Sequence, residues 1–148
     1  MIVLASKSPR RKEILKELGY DFIVCPAKKD EVFDLSLGLD EALKKVAESK
    51  AKEVREFYSD SIIISADTIV CLDQKILGKP KSKEDAIKTL NALSNRRHQV
   101  KTGVCIIYKN QTFLRVETTD VYFKKLTEQD IISYVNSGKC MDKAGSYG

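Results

Sequence analysis

Residues 61–72 constrain the fold of this chain more than any other segment. Three consecutive isoleucines at positions 62–64 and the apolar pair at 69–70 are typical of a β-strand. The polar residues Asp67 and Thr68 lie between these two apolar groups. The segment therefore predicts a strand with a polar interruption that needs a physical reason.

Asp67 supplies the first functional hypothesis. A carboxylate is costly to bury in such a strand unless it is paired, hydrogen-bonded or bound to a cation. We therefore expect Asp67 at a cleft, where it could ligate Mg²⁺ or orient and deprotonate a water that attacks phosphorus. An outward-facing strand residue or a bulge is the alternative at this point.

Strands and helices alternate along the first part of the chain. Hydrophobic spacing predicts strands at residues 2–5, 20–25, 61–72, 98–108 and 113–123. Helices are predicted after the capping residues Ser8, Asp40, Ser82 and Thr127, with ends near Gly19, Tyr58, Leu93 and Gly138. The last two strands form a predicted hairpin through residues 109–111. The pattern indicates an α/β fold with a mixed β-sheet and flanking helices.

Length and charge limit the classes of function. The 148 residues suit a single domain over 1–148, and the formal charge of +5 suits an anionic partner, either a polyanion or a small phosphate-rich ligand. Much of the lysine is interleaved with acids, as in solvated helix faces. No strand face is both basic and rich in aromatic residues, which argues against nucleic acid as a partner.

The sequence also bears on location and thiol chemistry. Its apolar stretches are too short to span a membrane, and residues 1–5 lack the features of a secretory signal, so a cytoplasmic location is predicted. The four cysteines are far apart without a paired motif. Buried free thiols are therefore favoured over a zinc site or a disulfide.

The turn at residues 6–11 is a candidate anion site. It combines a strand end, a helix amino terminus, the hydroxyls of Ser6 and Ser8, and the guanidinium groups of Arg10 and Arg11. Helix dipoles and free N–H groups attract phosphate, and arginine adds bidentate charged donors. Because cations oppose the dipole in a first helical turn, their presence favours a ligand. A capped helix with solvated arginines is the alternative.

Other charged residues are weaker candidates on their own. Asp30 and Glu31 could supply a second oxygen ligand for a cation, while Lys50 and Lys79 could neutralise phosphate charge. Lys79 is the more suggestive lysine because glycine and proline flank it. The only histidine, His98, is assigned no catalytic role.

Five ordered blocks resemble the Maf (septum formation) proteins, which are nucleoside triphosphate pyrophosphatases. The blocks are residues 4–11, 65–70, 76–80, 93–103 and 142–148. The resemblance implies hydrolysis of the α–β phosphoanhydride of a nucleoside triphosphate with a divalent metal, Mg²⁺ or Mn²⁺. It also implies the elongated α/β fold shared with inosine triphosphate pyrophosphatases, and a homodimer.

The same resemblance implies roles for individual residues. Asp67 is similar to the family's catalytic base, and together with Glu31 it resembles the acidic residues that bind the metal. Residues matching the triphosphate contacts are Ser8, Arg10, Arg11, Lys50 and Lys79. Arg10 and Thr68 resemble specificity positions of the branch that acts on dTTP and UTP.

Two further expectations follow from the resemblance. Family members usually continue beyond Gly148 with a segment whose glutamine helps to read the base, so we interpret the sequence as incomplete or, alternatively, as having lost part of its site. The alternative function is a nonenzymatic, division-linked regulator that binds nucleotide or nucleic acid in the same basic cleft.

Overall fold

The computed structural model describes residues 1–29 and 31–148. Its strands are Ile2–Leu4 (β1), Phe22–Val24 (β2), Ile62–Leu72 (β3), Lys75–Leu77 (β4), Arg97–Tyr108 (β5) and Gln111–Tyr122 (β6). Its α-helices are Pro9–Glu17 (α1), Leu39–Arg55 (α2), Lys83–Leu93 (α3) and Glu128–Asn136 (α4). Short 3-10 helices occupy Leu35–Leu37 and Ala144–Ser146.

The strands form a mixed sheet in the order β2-β1-β3-β5-β6, with β4 paired to β3. Strand β1 runs parallel to β2 and β3, and β4 runs antiparallel to β3. The turn between β3 and β4 places Asp73 at φ 52° and Gln74 at φ 68°, the positive values that a tight hairpin needs. The predicted α/β fold with a mixed sheet is confirmed.

Capping residues set most helix ends as the sequence predicts. Ser8 accepts a hydrogen bond from the Arg11 N–H at the start of α1, and Gly19 follows that helix at φ 82°. The Ser82 hydroxyl caps α3, and Thr127 forms a capping box with Asp130 at α4. Local sequence therefore determines these boundaries.

The prediction that Asp40 caps α2 is wrong. The cap position belongs to Gly38, and Asp40 lies inside the first turn, where its charge favours the helix dipole. Helix α2 ends at Arg55 rather than Tyr58. Strand β2 is shorter than predicted, and β6 begins at Gln111, because only residues 109–110 form the turn.

The chain divides into two compact units. The first contains residues 1–68 and 102–117, and the second contains residues 69–101 and 118–148. Residue 30, within the first range, is outside the described part. The core of the first unit contains Val3, Ala5, Ala47, Ala51, Val54, Ile63, Cys105 and Ile107. The core of the second contains Ala86, Leu90, Ile131, Val135 and Cys140.

The cysteines match the expectation from sequence. Cys71, Cys105 and Cys140 are buried and Cys25 is half-buried. No helix within residues 1–29 and 31–148 has the length and apolar character needed to cross a membrane.

Candidate active site

The polar pair in β3 lies just beyond the end of β1. The pairing of β1 with β3 begins at Ile2 and Ile62 and ends at Leu4 and Ile64. The Ala5 N–H then donates to the Ile64 carbonyl at 2.8 Å. After this point the chain of β1 turns away through residues 6–8 into α1. The following residues of β3 therefore lie where functional groups gather in parallel sheets, past the carboxyl end of a strand.

Asp67 and Thr68 point to opposite faces of the sheet, because consecutive strand residues alternate. On the face toward α2, the Ser65 hydroxyl donates to the Ala47 carbonyl at 2.5 Å, and Asp67 contacts Lys50. On the face toward α1, Thr68 contacts Arg11. The strand is therefore continuous through Asp67 and Thr68, and these two residues place polar groups on opposite faces of the sheet.

Lys50 joins two carboxylates on the α2 side. Its Nζ donates to Glu31 Oε1 and, at 3.3 Å, to Asp67 Oδ1. The Lys50 side chain is 18% exposed and that of Asp67 is 11% exposed, so this ion pair is largely removed from water. The second carboxylate oxygen of Asp67, Oδ2, is buried without a hydrogen-bond partner among residues 1–29 and 31–148.

Burial raises the pKa of Asp67 above its ordinary value, since the charged form loses hydration. The positive charge of Lys50 acts against this rise, whereas the negative charge of Glu31 adds to it. A carboxylate with a raised pKa and a free oxygen is a stronger base than an ordinary surface aspartate. This environment suits proton abstraction.

On the α1 side, two serines organise Arg11. The Ser6 hydroxyl accepts from the Ser8 N–H at 3.2 Å and from Arg11 Nη1 at 3.1 Å. Burial lowers the pKa of the Arg11 guanidinium, and the charges of Asp67 and Glu31 oppose that change. The guanidinium keeps its proton at neutral pH. Because Asp67 and Glu31 on the α2 side influence the pKa of Arg11, charged groups on the two sides of the sheet interact with each other.

A chain of hydroxyl groups extends from Arg11. Its Nη2 donates to Thr68 Oγ1 at 3.0 Å, and Thr68 Oγ1 lies 3.0 Å from Thr102 Oγ1 on the neighbouring strand β5. These groups line a cavity of about 380 Å³ that also contacts Ser8 and Arg10. The remaining lining is apolar and comes from Leu4, Ile14, Leu15, Ile64, Ala66 and Val104.

The structure groups most of the residues that the sequence singled out. Four of them, Ser8, Arg10, Arg11 and Thr68, line the cavity on the α1 side. Three others, Glu31, Lys50 and Asp67, form the ion-pair cluster on the α2 side. Their catalytic and binding roles stay predictions.

Two of the candidates are not part of this grouping. Lys79 belongs to the second unit, where it follows β4 with an exposed side chain. Asp30 lies outside the described residues. Roles for both therefore rest on the sequence.

Thr102 is the site residue that sequence reasoning missed. It occurs inside a family-like block, but a threonine in an alternating strand carries no signal of its own. Its contact partner Thr68 lies 34 positions away in sequence. The pairing of β3 with β5 would have been needed to find it.

The α2 side fits a divalent cation that is shared with a substrate. No group of three or more histidine, cysteine, aspartate or glutamate side chains suited to a metal occurs in the described part of the chain. Mg²⁺, however, is commonly held by one or two carboxylates, with water and substrate phosphates as its other ligands. The unpartnered Oδ2 of Asp67 and the nearby Glu31 carboxylate meet that requirement.

Comparison with known proteins decides the family. The sequence profile described as Maf-like protein matches residues 1–148. The chain belongs to the Maf family. The family assignment made from the ordered blocks is therefore confirmed.

Individual Maf relatives are similar over almost the whole chain. A dTTP/UTP pyrophosphatase of Vibrio parahaemolyticus is 47% identical over 148 residues, which is 99% of this chain and 78% of the relative. Enzymes of the same name from Aquifex aeolicus and Halalkalibacterium halodurans are 43% and 42% identical, each over 99% of this chain and 77% of the relative.

A distant solved structure supports the fold. The crystal structure of a Vibrio cholerae protein aligns with a TM-score of 0.50 over 93% of this chain and 77% of that one. Its sequence identity is 9%, so the likeness concerns the fold alone.

Proposed function

We propose that this Maf protein hydrolyses dTTP and UTP to the nucleoside monophosphate and pyrophosphate. The observation that carries the mechanism is Asp67, a buried carboxylate with one oxygen on Lys50 and the other unpartnered within the described residues. The names of relatives that are 42–47% identical support this substrate class.

The basic residues would hold the triphosphate. Arg11 is oriented by hydroxyl groups on two sides, which leaves its remaining N–H groups in a fixed direction for phosphate oxygens. Arg10 and Ser8 line the same cavity. Lys50, which pairs with two carboxylates in this structure, would also form an ion pair with a phosphate group of the substrate. Lys79 is proposed as a further phosphate contact on the basis of its family-like block.

Asp67 would act as the base. Its carboxylate accepts a proton from a water molecule, the water oxygen forms a bond to the α-phosphorus, and the bond from that phosphorus to the α–β bridging oxygen breaks. The bridging oxygen leaves with the pyrophosphate. Positioning the water in line with the leaving group and stabilising the charge on the phosphate oxygens both lower the barrier.

A divalent metal, Mg²⁺ or Mn²⁺, is part of this proposal. Glu31 and Asp67 would hold it, and it would supply charge neutralisation at the triphosphate oxygens. Lys50 already places a positive charge between the same two carboxylates in this structure. The homodimer implied by the resemblance and the cytoplasmic location predicted from the sequence stay predictions.

Asp67→Asn tests the mechanism. The amide is nearly isosteric but is not a base, so pyrophosphate release from UTP should fall by about 100-fold or more. The affinity for UTP, measured by titration calorimetry without divalent metal, should stay within about threefold, since Arg10, Arg11 and Lys50 are retained. Glu53→Gln is a matched control, because Glu53 lines a cavity with Glu31 and Lys50 but is not a member of their ion-pair cluster. Its carboxylate instead accepts hydrogen bonds from the backbone N–H groups of Lys28 and Lys29.

The same measurement separates the alternative functions. A nonenzymatic regulator would bind nucleotide without pyrophosphate release in the wild type. Release of orthophosphate alone from UTP, or unchanged turnover in Asp67→Asn, would contradict the proposed mechanism.

A further inference from the structure

The cavity beside α1 has the composition of a site for a flat, mostly apolar ring with polar edges. Its walls include Leu4 of β1, Ile64 and Ala66 of β3, and Val104 of β5. Its volume of about 380 Å³ lies within the range of small-ligand pockets, roughly 300–1,000 Å³. The phosphate-directed residues Ser8 and Arg10 lie at the same cavity.

The polar edge of this cavity is an ordered series of donors. The Arg11 guanidinium can only donate, so Thr68 Oγ1 accepts from it. The Thr68 hydroxyl then has its own proton to give, and Thr102 Oγ1 lies within reach at 3.0 Å. Hydrogen bonds that run in one direction polarise each other, which favours the order Arg11 to Thr68 to Thr102.

Thr102 is then the last residue of this hydrogen-bonded series, and its hydroxyl group can donate a hydrogen bond to a ligand. The base edges of dTTP and UTP carry two carbonyl oxygens, whereas adenine carries none. Resting on the proposed function, we infer that Thr102 is a specificity-determining residue whose hydroxyl donates a hydrogen bond to a carbonyl oxygen of the pyrimidine ring.

Thr102→Val tests this assignment, because valine keeps the shape of threonine and removes the hydroxyl. The kcat/KM for UTP should fall about 10-fold or more, because the substrate carbonyl then loses its hydrogen-bond donor in the site. Thr102→Ser, which keeps the hydroxyl, should stay within about threefold of the wild type. Inorganic tripolyphosphate, which has no base, should inhibit all three proteins with the same Ki.

The carbonyl that is read can be identified with CTP, which retains only the C2 carbonyl. A loss for UTP but not for CTP assigns the contact to the C4 carbonyl, and an equal loss assigns it to C2. Unchanged kcat/KM for both nucleotides in Thr102→Val would overturn the inference. A parallel loss of tripolyphosphate inhibition would also overturn it, because that result indicates a structural role.

Failure of the proposed function gives a different result. In that case the wild type releases no pyrophosphate from UTP. The inference is then decided by UTP affinity alone, measured by calorimetry for Asp67→Asn and for the double variant with Thr102→Val. Equal affinities would contradict it, whereas an affinity about 10-fold weaker in the double variant would support it.

Discussion

His98 illustrates at the residue scale how burial decides the state of a titratable group. Its side chain is 2% exposed, and its Nε2 lies 2.6 Å from the Tyr147 hydroxyl. The rings of Phe123 and Tyr147 pack against it edge to face, with centroids 4.9 Å and 5.4 Å away. These contacts make His98 part of the packing of the second unit.

This environment predicts a pH-dependent loss of stability. Burial lowers the pKa of His98 below its ordinary 6.5, so the folded state favours the neutral ring. The contribution of His98 to stability should therefore be complete above the unfolded pKa and be lost as the pH falls through the folded pKa. Urea unfolding measured from about pH 8 to about pH 5 should show this decrease.

His98→Gln is the control for the pH series. Glutamine can retain a hydrogen bond to Tyr147 but does not titrate. The variant should unfold at lower urea concentrations than the wild type at neutral pH, with a smaller change in stability over the same pH range. An identical pH dependence in both proteins would show that other groups are responsible.

At the element scale, the site depends on how β3 and β5 are placed between two helices. Alternate residues of β3 face α2, where Ile63 packs in the core and Asp67 meets Lys50. The others, including Ile64 and Thr68, line the cavity beside α1. A register shift of one residue would exchange the two sets. The buried core on the α2 side therefore also fixes the site.

Gly103 gives a test of the packing between β5 and α2. A Cβ atom at this position would lie 2.8 Å from Leu43 Cγ and 3.1 Å from the Leu43 carbonyl oxygen. Because backbone cannot move as easily as a side-chain end, Gly103→Ala should destabilise the protein by about 1–3 kcal/mol, measured by urea unfolding.

Gly78→Ala is the matched control for Gly103→Ala. Apart from its two chain neighbours, no residue in the described part of the chain has a heavy atom within 4 Å of a Cβ placed at Gly78. This variant should change the free energy of unfolding by less than about 0.5 kcal/mol. If the two substitutions destabilise the protein equally, the close approach of the new Cβ atom to Leu43 does not lower the free energy of unfolding.

At the scale of the whole molecule, folding and ligand binding are linked. The formal charge of +5 favours anionic ligands, and three of the four proposed phosphate-binding cations, Arg10, Arg11 and Lys50, belong to the first unit. A ligand that binds only the folded protein adds about 2.7 kcal/mol of stability at 100 times its Kd. We therefore expect UTP to raise the Tm of the inactive Asp67→Asn variant.

Uridine is the control for this linkage, since it has the base without the triphosphate. At the same concentration it should raise the Tm much less than UTP, because it cannot contact the arginines and lysines. The UTP effect should also weaken with salt, as exposed charges are screened. A shift of equal size from uridine would contradict the assignment of these cations to phosphate.

Much of this molecule follows from local sequence. The side chains of Ser8, Ser82 and Thr127 each cap a helix through a residue three positions away, so these boundaries can be predicted without the tertiary structure. The isoleucines of β3 likewise predict their strand, and the isolated carboxylate of Asp67 marks the site. The five ordered blocks of sequence predicted the Maf family.

Only the tertiary structure decided how the site is assembled. Thr68 meets Arg11 across 57 positions and Thr102 across 34 positions, and Asp67 meets Lys50 across 17. These contacts depend on strand order and on which face of β3 each helix covers, which are properties of the packed sheet. A hydroxyl such as that of Thr102 acquires a role only when its neighbours are known. The sequence by itself determined most of the elements and singled out Asp67, because capping and hydrophobic spacing are local, whereas long-range packing determined which residues Asp67 contacts.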